Sequence, residues 1–106
     1  ADLMRDTAAL RKLCHACVQA AGLHAVGELF HPFGEPGGIT GVVLLAESHL
    51  AVHTWPEQNA VTLDVYVCNY RADNSAAADA LLASLMRAFA PARTTQQRWA
   101  RGGVKG

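Results

Sequence analysis

The sequence carries no excess charge of either sign. Its 9 Lys and Arg residues balance 9 Asp and Glu residues, which gives a formal net charge of +0 and an isoelectric point near 7.2. Proteins that bind phosphate backbones or anionic lipid need a basic surface. We therefore expect neither nucleic acid nor a membrane surface among the partners of this chain.

Long apolar runs are also missing. The longest run, residues 39–46, contains Thr40 and Gly41 and falls far short of the roughly 20 residues that a membrane-spanning helix needs. No basic segment precedes an apolar stretch near the start of the sequence, as a secretory signal would require. We expect a soluble, cytoplasmic protein.

Cysteine is scarce, and the 3 cysteines form an odd set. A disulfide framework uses paired cysteines in an oxidising compartment, so we expect free thiols here. Cys14 and Cys17 have a spacing that occurs in metal and redox motifs, but both lie on the apolar stripe of a predicted helix. We interpret them as core residues and expect no metal site.

The 106 residues are 51% apolar, which fits one domain over residues 1–106. Helical and alternating patterns predict two helices and five strands. In chain order these are a helix over 7–21, a strand over 24–30, a loop over 31–38, strands over 39–46, 49–55 and 61–68, a helix between an Asn74 or Ser75 cap and Pro91, and a strand over 93–99. Strands joined mostly by hairpins predict an α+β fold, a two-layer sandwich in which an antiparallel sheet carries two helices on one face.

The other face of this sheet stays uncovered within one subunit, and alternation places chemically versatile residues on it. These residues are His49, His53, Asp64, Tyr66 and Cys68. If Trp55 pairs with Ala60 across the hairpin turn, the register of the whole ladder follows, and His53 lies opposite Thr62.

The same register brings further residues to one end of the ladder. It places Cys68 opposite Glu47 and next to Ser48. We therefore expect Ser48, Cys68 and the two histidines, His49 and His53, to converge on one patch. A small domain with an uncovered sheet face and no net charge is also expected to form a dimer.

One segment carries a long and specific motif. From residue 40 to residue 57 the sequence reads TGVVLLAESHLAVHTWPE, and DVYVC follows at residues 64–68. With this motif, the flanking helices and the last strand, most of the chain resembles the prokaryotic S-adenosylmethionine decarboxylase proenzymes. Relatives usually open with a further strand near a Gly-Arg-His-Leu signature, which this sequence does not show.

The resemblance implies a pyruvoyl enzyme that cuts its own chain. The Ser48 hydroxyl attacks the carbonyl of Glu47, the peptide rearranges to an ester, and β-elimination followed by hydrolysis leaves a pyruvoyl group at the new chain start. Residues 1–47 would become the β chain and residues 48–106 the α chain.

The resemblance also implies what the processed protein does. The pyruvoyl carbonyl condenses with the amine of S-adenosylmethionine as a Schiff base, which accepts the electrons left when carbon dioxide departs. The product feeds polyamine (spermidine) biosynthesis. The expected partners are this small-molecule substrate and a second copy, as a homodimer of processed αβ units.

Single residues match the family's functional positions. His53 and Thr40 match the residues that help processing, although relatives often carry serine at the position of Thr40. Cys68 matches the family's proton donor. A thiol with an ordinary pKa of about 8.5 keeps a proton to give near neutral pH. Glu57 matches the carboxylate that binds the ribose hydroxyls, and Phe33 the aromatic that stacks on adenine and faces the sulfonium.

Some alternatives stay open at this point. Phe30 is the alternative to Phe33 because the loop from residue 31 is one residue longer here than in relatives, and His49 has no assigned role. Asn69 stands where relatives carry glycine. These departures permit the same pyruvoyl machinery to act on arginine or ornithine, and an unprocessed, non-catalytic partner subunit is a third possibility.

Overall fold

The computed structural model of the chain describes residues 2–34, 37–46, 48–68, 75–90 and 92–101, and for residues 67, 68 and 98–101 it describes the backbone alone. Within these residues the chain forms two α-helices and five strands. They are α1 (Thr7–Ala20), β1 (Ala25–Pro32), β2 (Ile39–Leu45), β3 (Ser48–Trp55), β4 (Ala60–Cys68), α2 (Ser75–Phe89) and β5 (Arg93–Arg101), with a single 3₁₀ turn at Pro56–Gln58. The predicted helix boundaries Asn74 and Pro91 lie outside the described residues.

The five strands form one sheet in the order β1-β2-β3-β4-β5. The pairs β1–β2, β2–β3 and β3–β4 are antiparallel, whereas β5 is parallel to β4. The α+β fold class is confirmed, but the sheet is mixed rather than wholly antiparallel. The reason is the connection: α2 returns the chain to the end where β4 began, so the next strand runs in the same direction.

The segment predicted as a loop over 31–38 begins later than expected. β1 continues through His31, which pairs with Thr40, to Pro32, which pairs with Ile39. Proline is tolerated there because β1 is an edge strand.

Both helices pack on one face of the sheet, as predicted, and they also contact each other. α1 contacts β1 and β2, while α2 contacts β4 and β5. Asp6 caps α1 by accepting a hydrogen bond of 3.1 Å from the backbone N–H of Ala9. The largest fully buried side chains between the layers are Leu10, Val18, Ile39, Val43, Leu50, Val52, Val61, Leu63, Val65, Leu81 and Leu85.

Cys14 and Cys17 belong to this core, as the sequence predicted. Both are buried on α1. Burial raises the pKa of the Cys14 thiol to about 12 and also raises the pKa of Cys17. Because the thiolate is the reactive form, these two cysteines are chemically inert packing residues.

A polar cluster joins α1 to the edge strand β1. The carboxylate of Glu28 accepts a hydrogen bond from Arg11 and contacts the ring of His15, both on α1. The hydrogen bond from Arg11, and then that from His15, lowers the pKa of Glu28 below its ordinary value. His15 is therefore engaged by a strand carboxylate.

Neither of the two helices in the described residues packs on the second face of the sheet. We call it the open face and define it by Leu29, Thr40, Leu44, His49, His53, Thr62 and Tyr66. Leu29 and Leu44 are 71% and 49% exposed. Large apolar side chains left in water on a sheet face mark a surface that a partner can cover.

A buried hydroxyl ties three parts of the chain together. Thr54, which is 3% exposed, accepts a hydrogen bond of 2.8 Å from the N–H of Ile39 and donates one of 2.8 Å to the carbonyl of Met4. This bond pattern holds the segment before α1 against the start of β2.

Thr54→Val is expected to lower the free energy of unfolding by about 1–3 kcal/mol, because it leaves a buried N–H and a buried carbonyl without their partner. The measurement is chemical denaturation in a Ser48→Ala background, so that every sample holds one intact chain. Thr95→Val replaces an exposed threonine of β5 and serves as the matched control, with an expected change within about 0.5 kcal/mol. Equal stability of the two variants would contradict the prediction.

Candidate active site

A row of polar residues crosses the open face near the end where β3 finishes. Thr40 of β2 pairs with His53 of β3, which pairs with Thr62 of β4. A hydrogen bond of 3.1 Å joins Thr40 Oγ1 to His53 Nδ1, and both side chains are half-buried. A bond to one ring nitrogen restrains the tautomer and orientation of an imidazole, so Thr40 holds the ring of His53 in place.

Trp55 adds an aromatic wall beside this row. Its indole Nε1 donates a hydrogen bond of 3.3 Å to Thr62 Oγ1, and its ring centre lies 6.5 Å from that of His53. Sequence reasoning assigned no role to Trp55. Its position within the motif, between His53 and Glu57, was the signal that could have found it.

A recess of about 240 Å³ opens at the same end of the sheet. It is lined by Phe33, Gly37, Gly38, Thr40, His53, Thr54, Trp55 and Glu57. Four residues singled out from the sequence therefore meet here: two matched to processing and two matched to substrate binding.

The structure separates the two candidate aromatics. Phe33 lies on the recess, is 61% exposed, and meets the ring of His31 edge-on at 4.7 Å. Phe30 covers Gly41 instead, where a Cβ atom would lie 2.3 Å from the phenyl ring. Phe30 packs against the core, so of the two only Phe33 lines the recess.

Ser48 lies at the opposite end of β3. It is the first residue of the strand and pairs with Leu45 of β2 and Val67 of β4. Only Ala46 and Glu47 connect the two strands, and Glu47 lies outside the described residues. Ser48 is half-buried, so the junction that the motif marks for cleavage stands at the tip of a tight hairpin.

The predicted convergence of Ser48 and His53 is wrong within one chain. The predicted register is confirmed, since Trp55 pairs with Ala60 and His53 with Thr62. However, His53 lies five positions after Ser48 along an extended strand, and a rise of about 3.3 Å per residue places them about 16 Å apart. They also alternate onto opposite faces of the sheet.

Cys68 belongs to the Ser48 end. Its backbone ends β4 and pairs with Arg101 of β5. Its side chain and its predicted partner Glu47 lie outside the described residues. The candidate residues thus form two groups at the two ends of the sheet.

His49 follows Ser48 and lies on the open face. It pairs with Tyr66 of β4, and the two rings are stacked with centres 5.4 Å apart and planes 5° from parallel. Asp64 pairs with Ala51 in the middle of the face. Ala51 therefore separates His49 from His53 along the open face of β3.

Comparison with known proteins gives a consistent result. A family model described as S-adenosylmethionine decarboxylase matches residues 1–102. Similar curated proteins include three named S-adenosylmethionine decarboxylase proenzyme. The one from Symbiobacterium thermophilum is 39% identical over 84 residues, which is 79% of this chain and 63% of the relative. The one from Aquifex aeolicus is 44% identical over 68 residues, 64% of this chain and 50% of the relative.

The third, from Pyrobaculum aerophilum, is 37% identical over 83 residues, 78% of this chain and 66% of the relative. The chain thus spans about half to two thirds of the length of these relatives. None of the helices in the described part of the chain is long and apolar enough to cross a membrane. Because the family model matches residues 1–102 of the 106, the chain belongs to the S-adenosylmethionine decarboxylase family.

Proposed function

We propose that this protein is a self-processing, pyruvoyl-dependent decarboxylase of S-adenosylmethionine that serves polyamine (spermidine) biosynthesis. The observation that carries the proposal is the recess in which the bonded pair Thr40 and His53 meets Phe33 and Glu57. Membership of the family supports the same activity. No feature of the described residues favours arginine or ornithine as the substrate.

The first step is the cut between Glu47 and Ser48. Ser48 Oγ attacks the Glu47 carbonyl carbon, and the C–O bond of an ester forms as the C–N bond of the peptide breaks. β-Elimination releases the Glu47 carboxylate, and water then displaces ammonia to leave the pyruvoyl group. A weak hydroxyl nucleophile needs a base beside it and a donor facing the developing oxyanion, and His53 and Thr40 are assigned to these tasks.

The fold fits a cut at this junction. β2 remains paired with β1, and β3 with β4, whether or not the hairpin between β2 and β3 is continuous. On the other side of the junction the N–H of Ala46 donates a hydrogen bond of 3.2 Å to the carbonyl of His24. The break therefore removes one covalent bond at a hairpin tip and leaves the sheet in place.

Once formed, the pyruvoyl carbonyl supplies an electron sink for the electron pair left by carbon dioxide. Substrate binding and the return of the proton are assigned to side chains of this chain. Glu57 accepts hydrogen bonds from the ribose hydroxyls, while the exposed ring of Phe33 stacks on adenine and faces the sulfonium cation. Cys68 returns a proton to the α-carbon after decarboxylation.

The separation of the two residue groups supports a homodimer with shared sites. His53 lies too far along β3 to reach the Ser48 of its own chain, so a second copy must provide the base. The midpoint between the two residues falls beside Ala51, a small residue on the open face. A two-fold axis close to Ala51 brings the Ser48 end of β3 in each copy next to the His53 end of β3 in the other.

Two further observations favour this arrangement. The open face exposes Leu29 and Leu44, which a facing sheet would bury. The recess of about 240 Å³ is smaller than the roughly 300–1,000 Å³ of ordinary ligand pockets. A second copy would deepen it.

Complementation between two inactive variants tests the proposal. Ser48→Ala and His53→Ala are each expected to stay uncut when expressed alone. In mixed dimers one site keeps both Ser48 and the partner's His53, so about half of the His53→Ala chains should be cut when the two variants assort at random. Intact-mass spectrometry identifies the cut chain, because its fragment 48–106 carries alanine at position 53.

Thr40→Ala in place of His53→Ala should behave in the same way, because Thr40 orients His53. Cutting of the Ser48→Ala chain, or no cutting in the mixture, would contradict the shared site. A wild-type chain that stays uncut and releases no carbon dioxide from S-adenosylmethionine would contradict the proposed function itself.

A further inference from the structure

We propose that the stacked rings of His49 and Tyr66 hold the start of β3 on β4 after the chain is cut, and so keep the new chain start in register with Cys68. The inference rests on the proposed function, because it assigns a task that begins only after cleavage before Ser48. His49 and Tyr66 are positioning residues in this account. Neither is assigned a bond to the substrate.

The geometry of the pair is well suited to this task. The two rings are cross-strand neighbours on the open face, nearly parallel at 5° and offset at 5.4 Å between centres. Both side chains are half-buried. Offset stacking at this separation is the favourable arrangement for flat rings, and it restricts sliding of one strand along the other.

Cleavage changes what holds the first residues of β3. Before the cut, a two-residue connection joins them to β2. After the cut, residues 48 and 49 become a chain end, and chain ends fray unless something ties them down. On the β2 side the open-face neighbour of His49 is Leu44, which is 49% exposed, whereas on the β4 side it is the ring of Tyr66.

Attachment to β4 matters because β4 also carries Cys68. Tyr66 lies two residues before Cys68 on the same strand. When His49 is held opposite Tyr66, residue 48 keeps a fixed position along β4 relative to Cys68. A chain end that slipped or frayed would move away from the group assigned to return the proton, and protonation would occur at the wrong carbon.

Such a misplaced proton has a recognisable product. If the pyruvoyl-derived carbon is protonated in place of the substrate carbon, hydrolysis releases the substrate as an aldehyde and leaves its nitrogen on the protein. The α chain then begins with alanine and is inactive. The mass of the α chain counts these events directly.

Hydrogen exchange in cut and uncut protein separates this role from a general stabilising one. In the uncut Ser48→Ala background, His49→Ala should leave exchange at residues 49–51 close to that of the parent. In cut protein, His49→Ala should speed exchange at the same residues by about 2- to 10-fold, the range expected for loss of one stacked pair. His49→Phe keeps a ring at this position and should restore the slow exchange.

The same variants report on the reaction. Per turnover with S-adenosylmethionine, His49→Ala should accumulate more α chain that begins with alanine than the wild type, and His49→Phe should return towards the wild-type value. Ser84→Ala changes a side chain of α2, away from the open face, and is the control. It should change neither the exchange in cut protein nor the proportion of inactivated chain.

Three results would overturn the inference. Equal acceleration of exchange in cut and uncut protein would show an ordinary structural contact. An equal effect of Ser84→Ala would show that exchange and inactivation respond to any substitution and not to the stack in particular. A wild-type chain that stays at its intact mass would overturn both this inference and the proposed function, whereas normal cutting with no effect of His49→Ala would overturn this inference alone.

Discussion

Purified wild-type protein is expected to separate into two fragments, residues 1–47 and 48–106, while Ser48→Ala stays as one chain. The effect is expected to be all-or-none because the substitution removes the hydroxyl assigned to attack the Glu47 carbonyl. Intact-mass spectrometry over a time course at neutral pH measures it. The second fragment should be lighter by one ammonia than a chain that begins with serine, since the pyruvoyl group has lost its nitrogen.

Ser84→Ala supplies the control for this experiment. Ser84 lies on α2, far from the hairpin tip in the sequence. Its hydroxyl accepts a hydrogen bond from Arg87 at the surface. The variant should be cut at the wild-type rate.

Hydroxylamine should also release the fragments from protein that has reached the ester, because it attacks esters and leaves peptides intact. Cleavage of Ser48→Ala would show that another group makes the cut.

Cys68→Ala is expected to be cut normally but to lose about 10²- to 10⁴-fold in turnover, the usual contribution of a general acid. The thiol is assigned to the proton that returns to the α-carbon and has no part in the acyl shift at Ser48. The release of carbon dioxide from S-adenosylmethionine measures turnover, and the mass of the α chain measures inactivation. Inactivated chain should accumulate faster per turnover than in the wild type.

Cys17→Ala tests whether any thiol suffices. Burial keeps the Cys17 thiol protonated and away from substrate, so its loss should lower stability and leave the turnover of folded protein near the wild-type value. Cys68→Ser keeps the size of the side chain but is a much weaker acid, and it should remain slow. Normal turnover in Cys68→Ala would show that another group donates the proton.

Much of the fold could be predicted because strands and helices leave different patterns. Alternation in β3 and β4, together with the turn between them, was sufficient to predict the pairing of His53 with Thr62. The direction of β5 was mispredicted because alternation is the same in parallel and antiparallel strands. Only the position of α2 between the two strands determines that direction.

The candidate site was predicted in its members but not in its geometry. The motif identified Thr40, His53 and Glu57, the family resemblance in the preceding loop added Phe33 with Phe30 as its alternative, and the structure brings Thr40, His53, Glu57 and Phe33 around one recess. The prediction assumed that residues in the same part of the sheet lie close together. It did not account for the length of strand between Ser48 and His53. The stacking of His49 on its neighbour depends on side-chain torsions, which a residue pattern does not encode.

The placement of the two helices has a consequence for how cut and uncut protein refold. A cut at residue 48 leaves α1 in one fragment and α2 in the other, yet both helices bury their apolar faces in a single core. The two fragments of the cut chain would therefore be held together by their shared hydrophobic core, and not by contact between two separately folded surfaces. Once denatured, they must find each other by diffusion, so recovery should depend on concentration, whereas the uncut chain refolds alone. We therefore expect folding to precede cutting.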